Sequence, residues 1–137
     1  MKYRNLGRTG LRVPVIGLGT WQLGGEWGRD YSQDEADAIL DAAREAGIHF
    51  VDTAECYGDH RSETLIGDYL RRRGRDGWIV ATKFGHRFNG FMNRTEAFAP
   101  AEVEAQIEAS LRALKVDAID LYQFHTGSDG QFEQDEL

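Results

Sequence analysis

The chain has 137 residues, with 16 Lys and Arg against 23 Asp and Glu, a formal charge of −7, and 41% hydrophobic residues. That is the make-up of a globular domain long enough for its own core. Its acidic balance argues against a nucleic-acid surface, which needs clustered cations. No apolar stretch approaches the roughly 20 residues that span a bilayer.

Behind Met1-Lys2-Tyr3-Arg4-Asn5 there is no apolar segment, so no secretory signal is expected. The single cysteine, Cys56, leaves no internal disulfide and suits a reducing cytoplasm.

In chain order, residues 3–6 and 11–15 are short apolar runs around Gly7-Arg8-Thr9-Gly10, which predicts a hairpin. A short run at Ile16-Gly17-Leu18 follows, then a Gly-rich loop through Gly24, Gly25 and Gly28. Ser32 with Glu35 three residues on is a capping box. It opens a helix with Ala36, Ile39, Leu40 and Ala43 on one face, stopped by Gly47.

Residues 48–52 predict a strand. A helix from about Ser62 then buries Leu65, Ile66, Tyr69 and Leu70 and stops at Gly74. Its closing Arg71-Arg72-Arg73, with Arg75, offsets the C-terminal helix dipole. A strand over 78–83, a long loop over 84–99 ending at Pro100, a natural first-turn residue, and a helix from Ala101 to about 113 come next, then a strand over 118–123 that reaches Phe124-His125.

Strand and helix thus alternate, with apolar strands that imply burial on both faces and a parallel sheet covered by helices. The fold class is α/β: a partial (β/α)8 TIM barrel with an N-terminal hairpin, four strands and three intervening helices. A whole barrel takes about 250 residues. Residues 131–137 read as a loop entering the first turn of another helix over 133–136. The single domain, 1–137, is therefore expected to be an N-terminal half truncated at its C terminus, with sheet edges open to self-association or a complementary half.

Four polar groups fall at strand ends. Asp52 closes one strand, Tyr57 lies just beyond it, Lys83 closes the next and His125 the last. C-terminal strand ends face the ligand site in such folds, so the four are expected to converge. Each alone has an ordinary structural explanation; together, on three successive strands, they predict a site. Asp52 would hold the Lys83 ammonium, and that cation would lower the Tyr57 phenol from about 10. Reaching about 7 takes roughly 4 kcal/mol of differential stabilisation. A phenol so tuned gives a proton to an alkoxide, and a neutral imidazole hydrogen-bonds the same oxygen.

Gly17-Leu18-Gly19-Thr20-Trp21, Phe50-Val51-Asp52-Thr53-Ala54-Glu55-Cys56-Tyr57-Gly58 with Ser62-Glu63, Val80-Ala81-Thr82-Lys83, and Asp120-Leu121-Tyr122-Gln123-Phe124-His125 resemble the aldo-keto reductase signatures, in family order. The opening Tyr3 to Leu11 resembles the family hairpin that plugs the barrel bottom. The resemblance implies NADPH-dependent reduction of aldehydes and ketones to alcohols. Tyr57 would be the general acid, Lys83 its tuner, Asp52 the partner of Lys83, and His125 the carbonyl-orienting donor. It also implies NADP(H) across the mouth, with Thr20, Trp21 and Asp52 near its nicotinamide–ribose end and a small carbonyl compound as substrate. The family's phosphate-gripping residues come from strands five to eight, which this sequence lacks.

Two other readings remain beside it. The chain would be a non-catalytic binding or assembly module, or Lys83 would form a Schiff base, for which it should be neutral whereas Asp52 favours its charge. Other motifs predict little. Gly24, Gly25 and Gly28 precede no helix at Rossmann spacing, and no elbow-type serine accompanies Asp52 and His125. His60-Arg61-Ser62-Glu63 has no further His or Cys in a ligand pattern, so no metal site is expected. Trp21, Trp27, Phe84, Phe88 and Phe91 either line an apolar pocket or pack beneath loops.

Overall fold

The computed structural model describes residues 1–132. Strands β1 (Tyr3–Asn5) and β2 (Arg12–Pro14) pair antiparallel as the expected hairpin. The Tyr3 ring stacks on His49, just ahead of β4 (Phe50–Asp52), which places the hairpin at the amino end of the sheet.

The main sheet is parallel, in the order β3 (Leu18–Gly19), β4, β5 (Ile79–Phe84) and β8 (Leu121–Phe124). Helices α1 (Gln33–Glu45), α2 (Arg61–Arg73) and α3 (Pro100–Leu114) connect these strands. Their apolar residues meet the sheet in one core of Leu40, Val51, Ile66, Tyr69, Trp78, Val80 and Leu114. Burying each of the larger of these stabilises by about 1.5–3 kcal/mol. The architecture is part of a (β/α)8 barrel, and among the described residues its sheet ends at β3 and β8.

Local signals act as expected in α1. The Ser32 side chain accepts from the Glu35 amide, and the Glu35 carboxylate accepts from the Ser32 amide. Gly47 takes φ +76 after the helix, a conformation that costs a side-chain-bearing residue about 1 kcal/mol or more.

Elsewhere the structure corrects the reading. Residues Trp21–Gly24, expected as loop, wind into a 3-10 turn. Leu65 is only half-buried. The loop over 84–99 contains a second hairpin, β6 (His86–Phe88) and β7 (Arg94–Glu96), closed around Asn89-Gly90. Its polar residues show no alternation, which concealed it.

The basic run of α2 does more than face a dipole. Arg72 binds Asp37 of α1 at 2.7 Å, Arg73 approaches Asp41 at 3.5 Å, and Arg75 binds Asp120 ahead of β8 at 2.9 Å. Asp129–Phe132 form one helical turn, α4, where loop was expected from 131 onward. The predicted turn over 133–136 lies outside the described residues.

Candidate active site

The parallel register carries Asp52, Lys83 and His125 to the same end of the sheet. Asp52 pairs with Ala81, and Lys83 with Gln123. His125 follows β8 and donates its amide to Phe84 O at 2.9 Å. Tyr57 sits in the turn after β4, where its amide donates to Ala54 O at 3.2 Å.

Lys83 is the hub. Its Nζ donates to Asp52 Oδ1 at 2.9 Å and to Thr53 O at 2.7 Å, and it stands 3.4 Å from the Tyr57 hydroxyl. The ammonium also lies 5.1 Å from the Tyr57 ring centroid. Only 14% of the Lys83 side chain is exposed, so its field on the phenol is weakly screened. The His125 ring meets Tyr57 edge to face at 5.5 Å. All four strand-end residues therefore converge.

The direction of the Tyr57 shift differs from expectation. Burial raises the phenol above its ordinary value, Lys83 pulls it back only in part, and Asp52 raises it further. The expected lowering counted the cation and omitted the drying of the site.

Thr20 is buried, with its hydroxyl donating to Asp52 O at 3.0 Å and meeting Ser62 Oγ at 3.0 Å. It fixes the wall of the site rather than offering a free hydroxyl. Trp21 is 38% exposed, packs edge-on against Trp27, and stacks toward Tyr57 with centroids 6.2 Å apart. A cleft of about 360 Å³ opens between Trp21, Tyr57, Met92, Arg94 and His125. Of the aromatics considered for such a pocket, Trp21 lines it; Phe84 instead packs on Tyr122 and Phe124.

Several residues around the site escaped sequence reasoning. Glu26 pairs with Arg94, whose guanidinium also donates to Cys56 O at 2.6 Å. Glu63, fully buried, binds His60 Nδ1 and Thr82 Oγ1, each at 2.5 Å, and so joins α2 to β5. Glu55, Cys56, His86 and His125 gather behind Tyr57. Glu26 and Arg94 are 68 positions apart in sequence, so spacing held no signal for them. The Ser62-Glu63 pair did stand out, though its role did not.

A parallel strand–helix sheet that collects a phenol, an ammonium, a carboxylate and an imidazole at its carboxyl edge is a portion of a (β/α)8-barrel oxidoreductase. The chain belongs to the aldo/keto reductase family, whose sequence profile matches residues 15–129.

It is 39% identical to the aldo-keto reductase YhdN of Bacillus subtilis over 127 residues, 91% of this chain and 38% of that protein. It superposes with a TM-score of 0.82 on the holo form of the aldo-keto reductase AKR11C1 from Bacillus halodurans, at 36% identity, covering 93% of this chain and 41% of that one. An aldo-keto reductase from Klebsiella pneumoniae, solved in complex with NADPH, gives a TM-score of 0.68 at 29% identity, with 88% and 38% covered. The chain thus spans about two-fifths of the length of these relatives.

Proposed function

We propose that this chain supplies the proton-handling part of an NADPH-dependent reductase that converts aldehydes and ketones to alcohols. The observation that carries the proposal is Lys83, held by Asp52 at 2.9 Å and standing 3.4 Å from the Tyr57 hydroxyl. The Klebsiella relative's NADPH supports the choice of cofactor.

When bound, the nicotinamide would supply a hydride to the carbonyl carbon. The residues present fit that end of the cofactor: Trp21 offers a partly open aromatic face, and the Asp52 side chain is 37% exposed. Thr20 shapes the same wall through its bonds to Asp52 and Ser62. The pyrophosphate end finds less. Arg94 is committed to Glu26 and Arg87 to Glu102.

As the carbonyl π pair moves onto oxygen, the Tyr57 O–H gives that oxygen its proton and the Lys83 ammonium stabilises the phenolate left behind. A raised phenol pKa suits this role. Tyr57 stays protonated at neutral pH, and an alkoxide is a far stronger base than a phenolate. His125 donates to the same oxygen and orients it. We place the reaction in the cytoplasm, where the free Cys56 thiol would persist.

The test is NADPH oxidation by the complete reading frame across a carbonyl panel. Tyr57→Phe is expected to lower kcat by about 10²–10⁴-fold. Activity that survives this change undiminished ends the assignment. A second reading, an assembly module that joins a complementary half, rests on the sheet edges that β3 and β8 form among the described residues. Sedimentation of the chain as a well-folded monomer would count against it.

A further inference from the structure

We propose that Glu55, Cys56, His86 and His125 form a binding site for a divalent transition-metal ion of the zinc type. Among the described residues these four each offer one ligand atom, and the atoms all lie within 4.8 Å of one another. Cys56 Sγ is 3.3 Å from His125 Nδ1, His86 Nδ1 is 3.8 Å from Glu55 Oε1, and His125 Nδ1 is 3.9 Å from Glu55 Oε2. Ligands about 2.0–2.3 Å from a tetrahedral ion stand about 3.3–3.8 Å apart, so the nearest pairs are already at that spacing and the widest, within 4.8 Å, would contract by up to about 1 Å.

An independent observation points the same way. Glu55 is 3% exposed, yet its Oε2 has no hydrogen-bond partner, and neither does the buried His86 Nδ1. Buried carboxylate oxygens and ring nitrogens are seldom left so, and a cation between them would satisfy both.

The surroundings are those of a ligand set. His86 Nε2 meets the Thr126 hydroxyl at 3.3 Å, and in the tautomer whose Nε2–H donates to it Nδ1 carries the lone pair. Outer partners of this kind orient metal-bound imidazoles. The Glu55 carboxylate is fixed by the His86 amide, which donates to Oε1 at 3.2 Å. A thiolate and a carboxylate would neutralise a divalent ion, and the neighbouring Arg94 is already balanced by Glu26.

One sulfur, two imidazoles and one carboxylate suit zinc or cobalt rather than magnesium or calcium, which take oxygen ligands. Such an ion binds the thiolate rather than the thiol, so binding at Cys56 would expel a proton and tighten as pH rises. His125 belongs to both this site and the proposed reductase site. Ligation through Nδ1 would leave Nε2 as that ring's donor.

The experiment reads metal and not turnover, so its failure is separate from failure of the reductase reading. Cobalt(II) is titrated into the metal-free chain, followed by competition with zinc(II). The expected result is saturable 1:1 binding with a thiolate-to-cobalt charge-transfer band and tetrahedral visible bands, both displaced by zinc. Cys56→Ser should abolish the charge-transfer band. His86→Gln should weaken binding by at least about tenfold, and His49→Gln at the opposite end of the sheet should leave it unchanged. Circular dichroism verifies each fold, and should Cys56→Ser unfold, the His86→Gln comparison decides. No saturable binding, binding without the sulfur band, or affinity indifferent to His86→Gln overturns the proposal.

Discussion

Gly24 and Gly58 meet backbone to backbone: a Cβ on Gly58, which holds φ +66, would stand 2.0 Å from Gly24 O. A Cβ on Gly24 would in turn stand 2.7 Å from the carbonyl carbon of Tyr57. This contact presses the 3-10 turn against the loop that carries the phenol. Neither glycine can be replaced without moving main chain.

Gly58→Ala is therefore expected to destabilise the fold by about 2–4 kcal/mol, combining left-handed strain with a backbone clash. Urea unfolding measures it. A variant as stable as the parent would show that the two segments separate freely.

Lys83→Met should raise the Tyr57 phenol further above its ordinary value, because the cation now opposes the effect of burial. Ultraviolet titration, with Tyr57→Phe as the blank, isolates this one phenol. A shift downward would mean that Lys83 does not act on Tyr57 as its 3.4 Å approach implies.

Glu63 is a fully buried carboxylate held by His60 and Thr82. Glu63→Ala leaves both partners unsatisfied beneath α2, and a loss of about 3–5 kcal/mol is expected. Thermal unfolding of Glu63→Ala beside Glu63→Gln checks it. The amide keeps the shape and should retain more stability.

The same pair predicts a pH dependence. Burial pulls His60 down, but the Glu63 hydrogen bond and charge outweigh it, and the net shift is upward. A folded value above the unfolded one, about 6.5, means that the pair's contribution is complete below that pH and fades as pH rises through the folded value. The stability gap between the parent and His60→Gln should narrow as pH rises above about 6.5. A gap that widens with pH would reverse the assignment.

The legible features were those whose cause is local or periodic. Ser32 and Glu35 are three residues apart and cap one turn, so their bond can be read from spacing. Asp52, Lys83 and His125 could be placed because a parallel strand delivers its last residue to a known edge. The β6–β7 hairpin was hidden in a polar stretch, where Asn89-Gly90 was its one turn signal.

From residue order alone came the alternation of strand and helix, the edge on which the polar groups sit, and the family that those groups resemble. Only the folded chain decided that burial outweighs Lys83 at Tyr57, that Glu26 neutralises Arg94, and that Glu55 faces two imidazoles and a thiol. Helix caps and the alternation of strand and helix depend on neighbours within a few positions. Desolvation and charge pairing depend on which distant segments exclude water from a group, and that is settled when loops from β3, β4, β5 and β8 close over one another.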